Sequence, residues 1–321
     1  MTYCKEQNIS DPTEILRCAQ KLIVKGKSLN GFTGRSIADE LTDDRTSFIL
    51  ISRHNVLGTA LEEIPCIEDV QLTLEVSFYG ENAQDAGGPR REFFRLCLQE
   101  IKEKYFDNGL KEHLSEDYRI IGVIMALSVL QNGKMPRFLD EDQLQAVLGS
   151  SKTSSSCFTN LSQGFDKLSL GEIARNLPTF LHLFRPCSYG SLTRRKLVHL
   201  LKPKFSEDGC NQRRHENIVY TVFSKYCREA AGGKRGNVTL EHILQFTTAT
   251  DEEPVLGFVE EPSIHFVSSI SSGQWSFIPT ANTCGNTLYL PCPDGDTALP
   301  AENELFEVYD MAFSNAYFGN A

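Results

Sequence analysis

Between Phe277 and Pro291 the chain reads FIPTANTCGNTLYLP, a small polar loop that carries one thiol, Cys284, between two strand-like runs. A thiol on a loop can attack an acyl carbon, hold the acyl group as a thioester and pass it on. Gly285 removes a side chain beside the sulfur, and Asn282, Thr283 and Asn286 offer hydrogen-bond donors to the oxyanion that develops in such an exchange. For any one of the ten cysteines the plainer reading is a half-buried structural thiol.

Other chemistry-bearing patterns fail on spacing. Gly26, Lys27 and Ser28 match the end of a phosphate-binding loop, whose first glycine would stand at position 21, occupied by Lys21. His215 and Glu216 open an HExxH-like string, but the second ligand position holds Val219. No GxSxG elbow and no GxGxxG fingerprint occurs, which removes the warrant for a serine hydrolase or a nucleotide-cofactor oxidoreductase. The cysteines form no CxxC pair and no Cys/His comb, so disulfide frameworks and zinc sites are disfavoured.

Charge narrows the partners. The net charge is −10, yet all 32 Lys and Arg precede residue 236, while Gly236–Ala321 holds 12 Asp and Glu. Arg194–Arg235 concentrates 11 Lys and Arg against Glu207, Asp208, Glu216 and Glu229. Oppositely charged solvated faces are the plain reading. Nucleic-acid binding is disfavoured, because an acidic tail repels phosphate. The longest apolar stretch, Ile120 to Leu130, is shorter than the ~20 residues of a membrane span, so no membrane association is expected. MTYCKEQNISDPTEILRC does not read as a secretory signal, which predicts a reducing compartment, the cytoplasm or the nucleus.

Hydrophobic periodicity predicts an α+β fold. Asp11 to Lys25 reads as an amphipathic helix, Val70 to Glu81 as an alternating strand, and Asp85–Pro89 as a turn into a helix through Phe93, Phe94, Leu98 and Ile101. A buried helix spans Tyr118 to Leu130 and stops at Asn132 and Gly133; Gly149 to Phe158, rich in serine, reads as a loop. Helices follow at Gly171–Leu183, Leu192–Leu201, Glu216–Arg228 and Leu240–Phe246, and strands at Ile264–Val267, Trp275–Ile278 and Leu288–Leu290. Lys202, Pro203 and Lys204 break the pattern and mark a hinge. The expected organisation is an extension with one helix at 1–45, a mainly helical lobe at 46–203 and a smaller mixed α/β lobe at 204–321.

The residues around the thiol resemble the active-site loop of HECT ubiquitin ligases: Pro279, Thr280, Ala281, Asn282, Thr283, Cys284, then Leu288, Leu290 and Pro291. LEVSFYGENAQDAGGPRREFF (Leu74 to Phe94) is similar to the family's signature strand and Asp-x-Gly-Gly turn. ILQFTTATDEEPVLGF (Ile243 to Phe258) is similar to the segment before its cysteine loop, and Phe318 stands where the family places a phenylalanine four residues from the end. The resemblance runs from about Arg53 to Ala321 and fits a short branch that is little more than the HECT module.

This resemblance implies a bilobal fold in which Cys284 takes ubiquitin from a conjugating enzyme as a thioester and delivers it to a lysine of a protein substrate, with Phe318 orienting the acceptor step and no cofactor. It makes Asp85 and Glu92 structural, and Trp275 packs most simply beneath the cysteine loop. A thiol in an acidic lobe suits thioester exchange better than amide hydrolysis, which calls for a neighbouring imidazolium and would make the chain a Cys/His hydrolase. After Arg235 no lysine is present to intercept the thioester. The chain departs from the family in a shortened docking region, about 139–183, in Gly285 where Phe is common, and in Asn282 where His is common. A module that binds ubiquitin or substrate but transfers poorly is the alternative.

Overall fold

The computed structural model describes residues 9–29, 44–81, 87–149, 154–186, 192–269, 277–293 and 298–314. The fold is α+β. The chain divides into two compact units, Met1–Tyr189 with Glu253–Val259, and Gly190–Glu252 with Glu260–Ala321. That division falls ahead of Lys202–Lys204, which is a strand inside the second unit rather than a connection.

In the first unit, helix α1 (Pro12–Ile23) starts where Asp11 Oδ1 accepts a hydrogen bond from Glu14 N at 3.0 Å, and it buries Ile15, Leu16 and Ala19. Strand β1 (Thr46–Ile51), helix α2 (Val56–Glu63) and strand β2 (Thr73–Phe78) form a crossover, with β1 and β2 parallel and Thr46 opposite Thr73. The alternation read around Leu72–Phe78 is a real strand: Leu74, Val76 and Phe78 are buried. Helix α3 (Gly88–Ile101) follows Gly87, whose φ of +113° favours glycine.

Arg53 ties these elements together. Its Nη1 and Nη2 donate to the two carboxylate oxygens of Glu92 on α3 at 3.0 and 2.9 Å, its Nη2 and Nε donate to Glu81, and its guanidinium stacks 4.1 Å from the centre of the Phe78 ring. Burial alone lowers the Arg53 pKa, but the hydrogen bonds and charges of Glu81 and Glu92 outweigh it and raise it above the usual arginine range. Glu92 is 3% exposed, so the expectation of a structural carboxylate fits its surroundings.

Helix α4 (Asp117–Leu130) is buried from Ile121 to Leu130, and the chain leaves it through Asn132 at φ +57°. Helix α6 (Ser156–Asp166) packs on it, helices α5 (Glu141–Val147) and α7 (Leu170–Asn176) each pack on α6, and 3-10 turns over Pro178–Phe184 follow against α7. The serine-rich stretch is therefore not all loop: α6 begins inside it, and the Ser155 and Ser156 hydroxyls donate to Glu112 at 3.1 and 2.9 Å.

Helices α4 and α6 meet through two glycines. A methyl at Gly122 would stand 2.4 Å from the Leu161 carbonyl oxygen, and one at Gly164 would stand 2.3 Å from the Arg119 carbonyl oxygen and 2.7 Å from Gly122 Cα. These obstacles are backbone, so only separating the helices relieves them. Gly122→Ala and Gly164→Ala are each expected to cost about 1–3 kcal/mol, despite alanine's intrinsic helix advantage. The check is a lower urea midpoint with an unchanged denaturant slope.

The second unit comprises helix α8 (Arg194–Leu200), strand β3 (Lys202–Lys204), helices α9 (Asn211–Ala231) and α10 (Leu240–Thr248), strands β4 (Ser263–Ser268), β5 (Thr280–Asn282) and β6 (Thr287–Cys292), and helix α11 (Glu302–Ser314). The sheet order is β3-β4-β6-β5, with β3, β4 and β6 parallel and β5 antiparallel to β6. Leu288, Leu290 and Ile264 are buried, as are Phe223, Tyr226, Phe306, Tyr309 and Phe313, whose rings pack against one another. Asp310 on α11 accepts from Tyr226 Oη at 2.8 Å and from Arg235, the last cation in the chain.

The strand expected at Trp275–Ile278 lies instead at Thr280–Asn282. Phe277 is buried in a 3-10 turn, Ile278 is outside any strand and Trp275 lies outside the described residues. Pairing with β6 sets the position, since Thr280 must stand opposite Tyr289 and Asn282 opposite Thr287. Among the described residues no helix is long and apolar enough to cross a membrane.

Candidate functional site

Strands β5 and β6 make a hairpin whose four-residue loop is Thr283–Asn286, a length usually built around a type I turn. Asn282 shapes its start: Oδ1 accepts from Cys284 N and from Gly285 N, both at 3.1 Å. Thr287 Oγ1 donates to the Gly285 carbonyl at 3.0 Å, closing the other side. A Cβ at Gly285 would meet nothing nearer than 3.6 Å, so space does not demand glycine there.

The loop ends at Asn286, which takes a φ of +51° and is 1% exposed. Its Nδ2 donates to the Glu260 carbonyl at 2.7 Å, and its own carbonyl accepts from Ser263 N at 3.0 Å. Asparagine tolerates this left-handed conformation better than most side chains do.

Cys284 therefore sits half-buried on a turn whose ends are fixed from both sides. The other described thiols occupy different surroundings. Cys97, Cys157, Cys227 and Cys292 are buried. Burial pushes the Cys97 and Cys157 thiols up, and it pushes Cys227 and Cys292 up to about 12. Cys210 Sγ accepts from Arg213 N at 3.3 Å at the start of α9, and Cys66 Sγ donates to the Glu62 carbonyl at 3.4 Å. No disulfide joins any of the described cysteines.

Of the residues grouped around the thiol from sequence, all four supporting positions fall on or beside the turn. The side-chain oxygen of Asn282 is turned onto the loop's own amides, and the Asn286 amide is directed into the unit rather than toward solvent. Thr283 is half-buried on the turn. Phe318 and Asp85 lie outside the described residues. The contact of Asn286 with Glu260 joins positions far apart in sequence, and no local pattern announces it. Among the described residues no group of three His, Cys, Asp or Glu side chains is placed to hold a metal ion.

No protein-family model matches the chain. Over 96 residues, 25% of this chain and 9% of the relative, it is 31% identical to the probable E3 ubiquitin-protein ligase HERC4 of Homo sapiens, and equally so to that of Mus musculus. Over 61 residues, 18% of this chain and 6% of the relative, it is 43% identical to the probable E3 ubiquitin-protein ligase HERC3 of Homo sapiens. The chain thus matches less than a tenth of the length of these curated relatives.

Proposed function

We propose that this protein is a HECT-type ubiquitin transferase that works through Cys284. The observation that carries the reading is the placement of this half-buried thiol on a hairpin turn, while four others are buried. The ordered HECT-like motifs and the local similarity to probable E3 ubiquitin-protein ligases support it. In this reading the two compact units correspond to the two lobes, helices α5 to α7 are what remains of the docking region, and Phe318 orients the acceptor step. The location that goes with this activity is the cytoplasm or the nucleus.

The Cys284 thiol gives up its proton and attacks the carbonyl carbon of the thioester that joins ubiquitin's C-terminus to a conjugating enzyme. The enzyme's sulfur leaves with the electron pair and takes up a proton, and ubiquitin is left as a thioester on Cys284. A substrate lysine amine then attacks the same carbon, forms the amide and returns the thiol. The thioester arrives already activated, so neither step needs a cofactor. No lysine follows Arg235, and of the five lysines earlier in this unit Lys202 and Lys225 are paired with Glu261 and Glu302.

The test is incubation with activating enzyme, a set of conjugating enzymes, ATP and ubiquitin. A protein–ubiquitin adduct that disappears on treatment with thiol is expected. No adduct with any conjugating enzyme sinks the transferase reading in favour of a module that only binds ubiquitin or substrate. Peptide-bond cleavage that depends on Cys284 and a histidine makes it a hydrolase instead.

A further inference from the structure

Asn286 combines three properties that loop asparagines seldom share. It is 1% exposed, it holds a left-handed backbone, and both its side-chain amide and its backbone carbonyl are bonded to one short stretch, Glu260–Ser263. That stretch is where the chain re-enters the second unit and starts β4. Strands β4 and β6 are already paired from Ser263–Thr287 to Ser268–Cys292, so the sheet needs no extra bond from Asn286 to fix its register. The Asn286 amide adds a constraint just beyond the ladder, at the residue where the loop bearing Cys284 joins β6.

We infer that Asn286 is a positioning residue for Cys284: its amide pins the end of the turn to Glu260 and so fixes the direction in which the sulfur is presented. The inference rests on the transferase reading and deepens it. Asn286 is not a donor to the acyl oxygen, because the residue is 1% exposed and its Nδ2 is directed to the Glu260 carbonyl. Asn282 supplies the matching constraint at the start of the turn, through the amides of Cys284 and Gly285. With both ends held, the sulfur meets a large and rigid acyl donor in a narrow range of orientations, and misplacement by about 1 Å costs up to roughly a hundredfold in rate.

Two substitutions separate this role from general structure. Asn286→Gly keeps the left-handed backbone and removes the donor. Asn286→Asp keeps size and shape but sets a carboxylate oxygen against the Glu260 carbonyl. In both, the maximal rate of ubiquitin transfer to the protein is expected to fall about tenfold or more, with half-saturation by the conjugating enzyme unchanged. Alkylation of Cys284 by iodoacetamide, a reagent too small to need orientation, is expected to stay within about twofold of the parent. Hydrogen exchange should quicken over residues 280–290 and stay unchanged over α10.

Variants that exchange and transfer like the parent overturn the inference, as does quickened exchange with an undiminished transfer rate. Loss of exchange protection in α10 also overturns it, by making Asn286 a general stabiliser. A parent protein that forms no adduct at all defeats the transferase reading itself and the positioning role with it. Only that outcome is read in the absence of any variant, so the two failures are distinguishable.

Discussion

Cys284→Ala is expected to abolish the ubiquitin adduct completely, and Cys284→Ser to replace it with one that survives thiol treatment and is cleaved by alkali. The serine oxygen attacks the same carbon more slowly and yields an oxyester, which thiols do not exchange readily. Neither change is expected to unfold the protein, because a half-exposed turn side chain contributes within about 0.5 kcal/mol. Cys66→Ala and Cys210→Ala serve as controls: the first sulfur is exposed on a helical turn and the second caps α9, and both variants should form the adduct at the parental rate. Gel mobility before and after reductant and alkali reads all four. A reducible adduct that persists in Cys284→Ala would falsify the assignment of the acceptor thiol.

The largest expected loss of stability comes from Arg53. Removing its guanidinium leaves the Glu92 carboxylate, 3% exposed, without its bidentate partner, and strips the cation from the Phe78 ring. Arg95 Nη2 lies 3.8 Å from Glu92, too far to replace the two hydrogen bonds of 3.0 and 2.9 Å. Arg53→Met is therefore expected to cost about 3–5 kcal/mol, the range for breaking one side of a buried pair. Removing both charges should be milder: the double variant Arg53→Met, Glu92→Leu is expected to lose less than the sum of its single variants, since neither charge is left stranded. Urea denaturation of the four proteins supplies the cycle. A single-variant cost below about 1 kcal/mol would mean the pair behaves as a solvated one.

What the sequence reveals here depends on how local the physics is. Helices α1 and α3 and strand β2 were legible because each repeats its apolar residues at its own period, α4 because its apolar run is all but unbroken, and the helices also because Asp11, Pro12, Pro89 and Asn132 mark ends by local geometry. Strand β1 was not, since its run of TSFILI exposes Phe48 to solvent and gains its meaning only beside β2. Strand β5 was displaced from the expected position because cross-strand register, not propensity, sets its limits. Helix α11 carries a helical spacing of Leu305, Phe306, Tyr309 and Phe313, but charged residues among them dilute the pattern. At the site, the thiol was legible as part of a motif. The inward turn of Asn286 was not, because Glu260 lies 26 residues away, and the clasp between Arg53 and Glu92 spans 39.

The seven residues Glu253–Val259 belong to the first unit while the segments before and after them belong to the second. Val255 and Leu256 pack on the first unit's apolar cluster. No single cut therefore yields two clean fragments. A piece excised from Gly190 onward would carry two stranded oily side chains and stick to itself, so anyone wishing to express the Cys284 half alone should splice Glu252 to Glu260 through a short polar bridge.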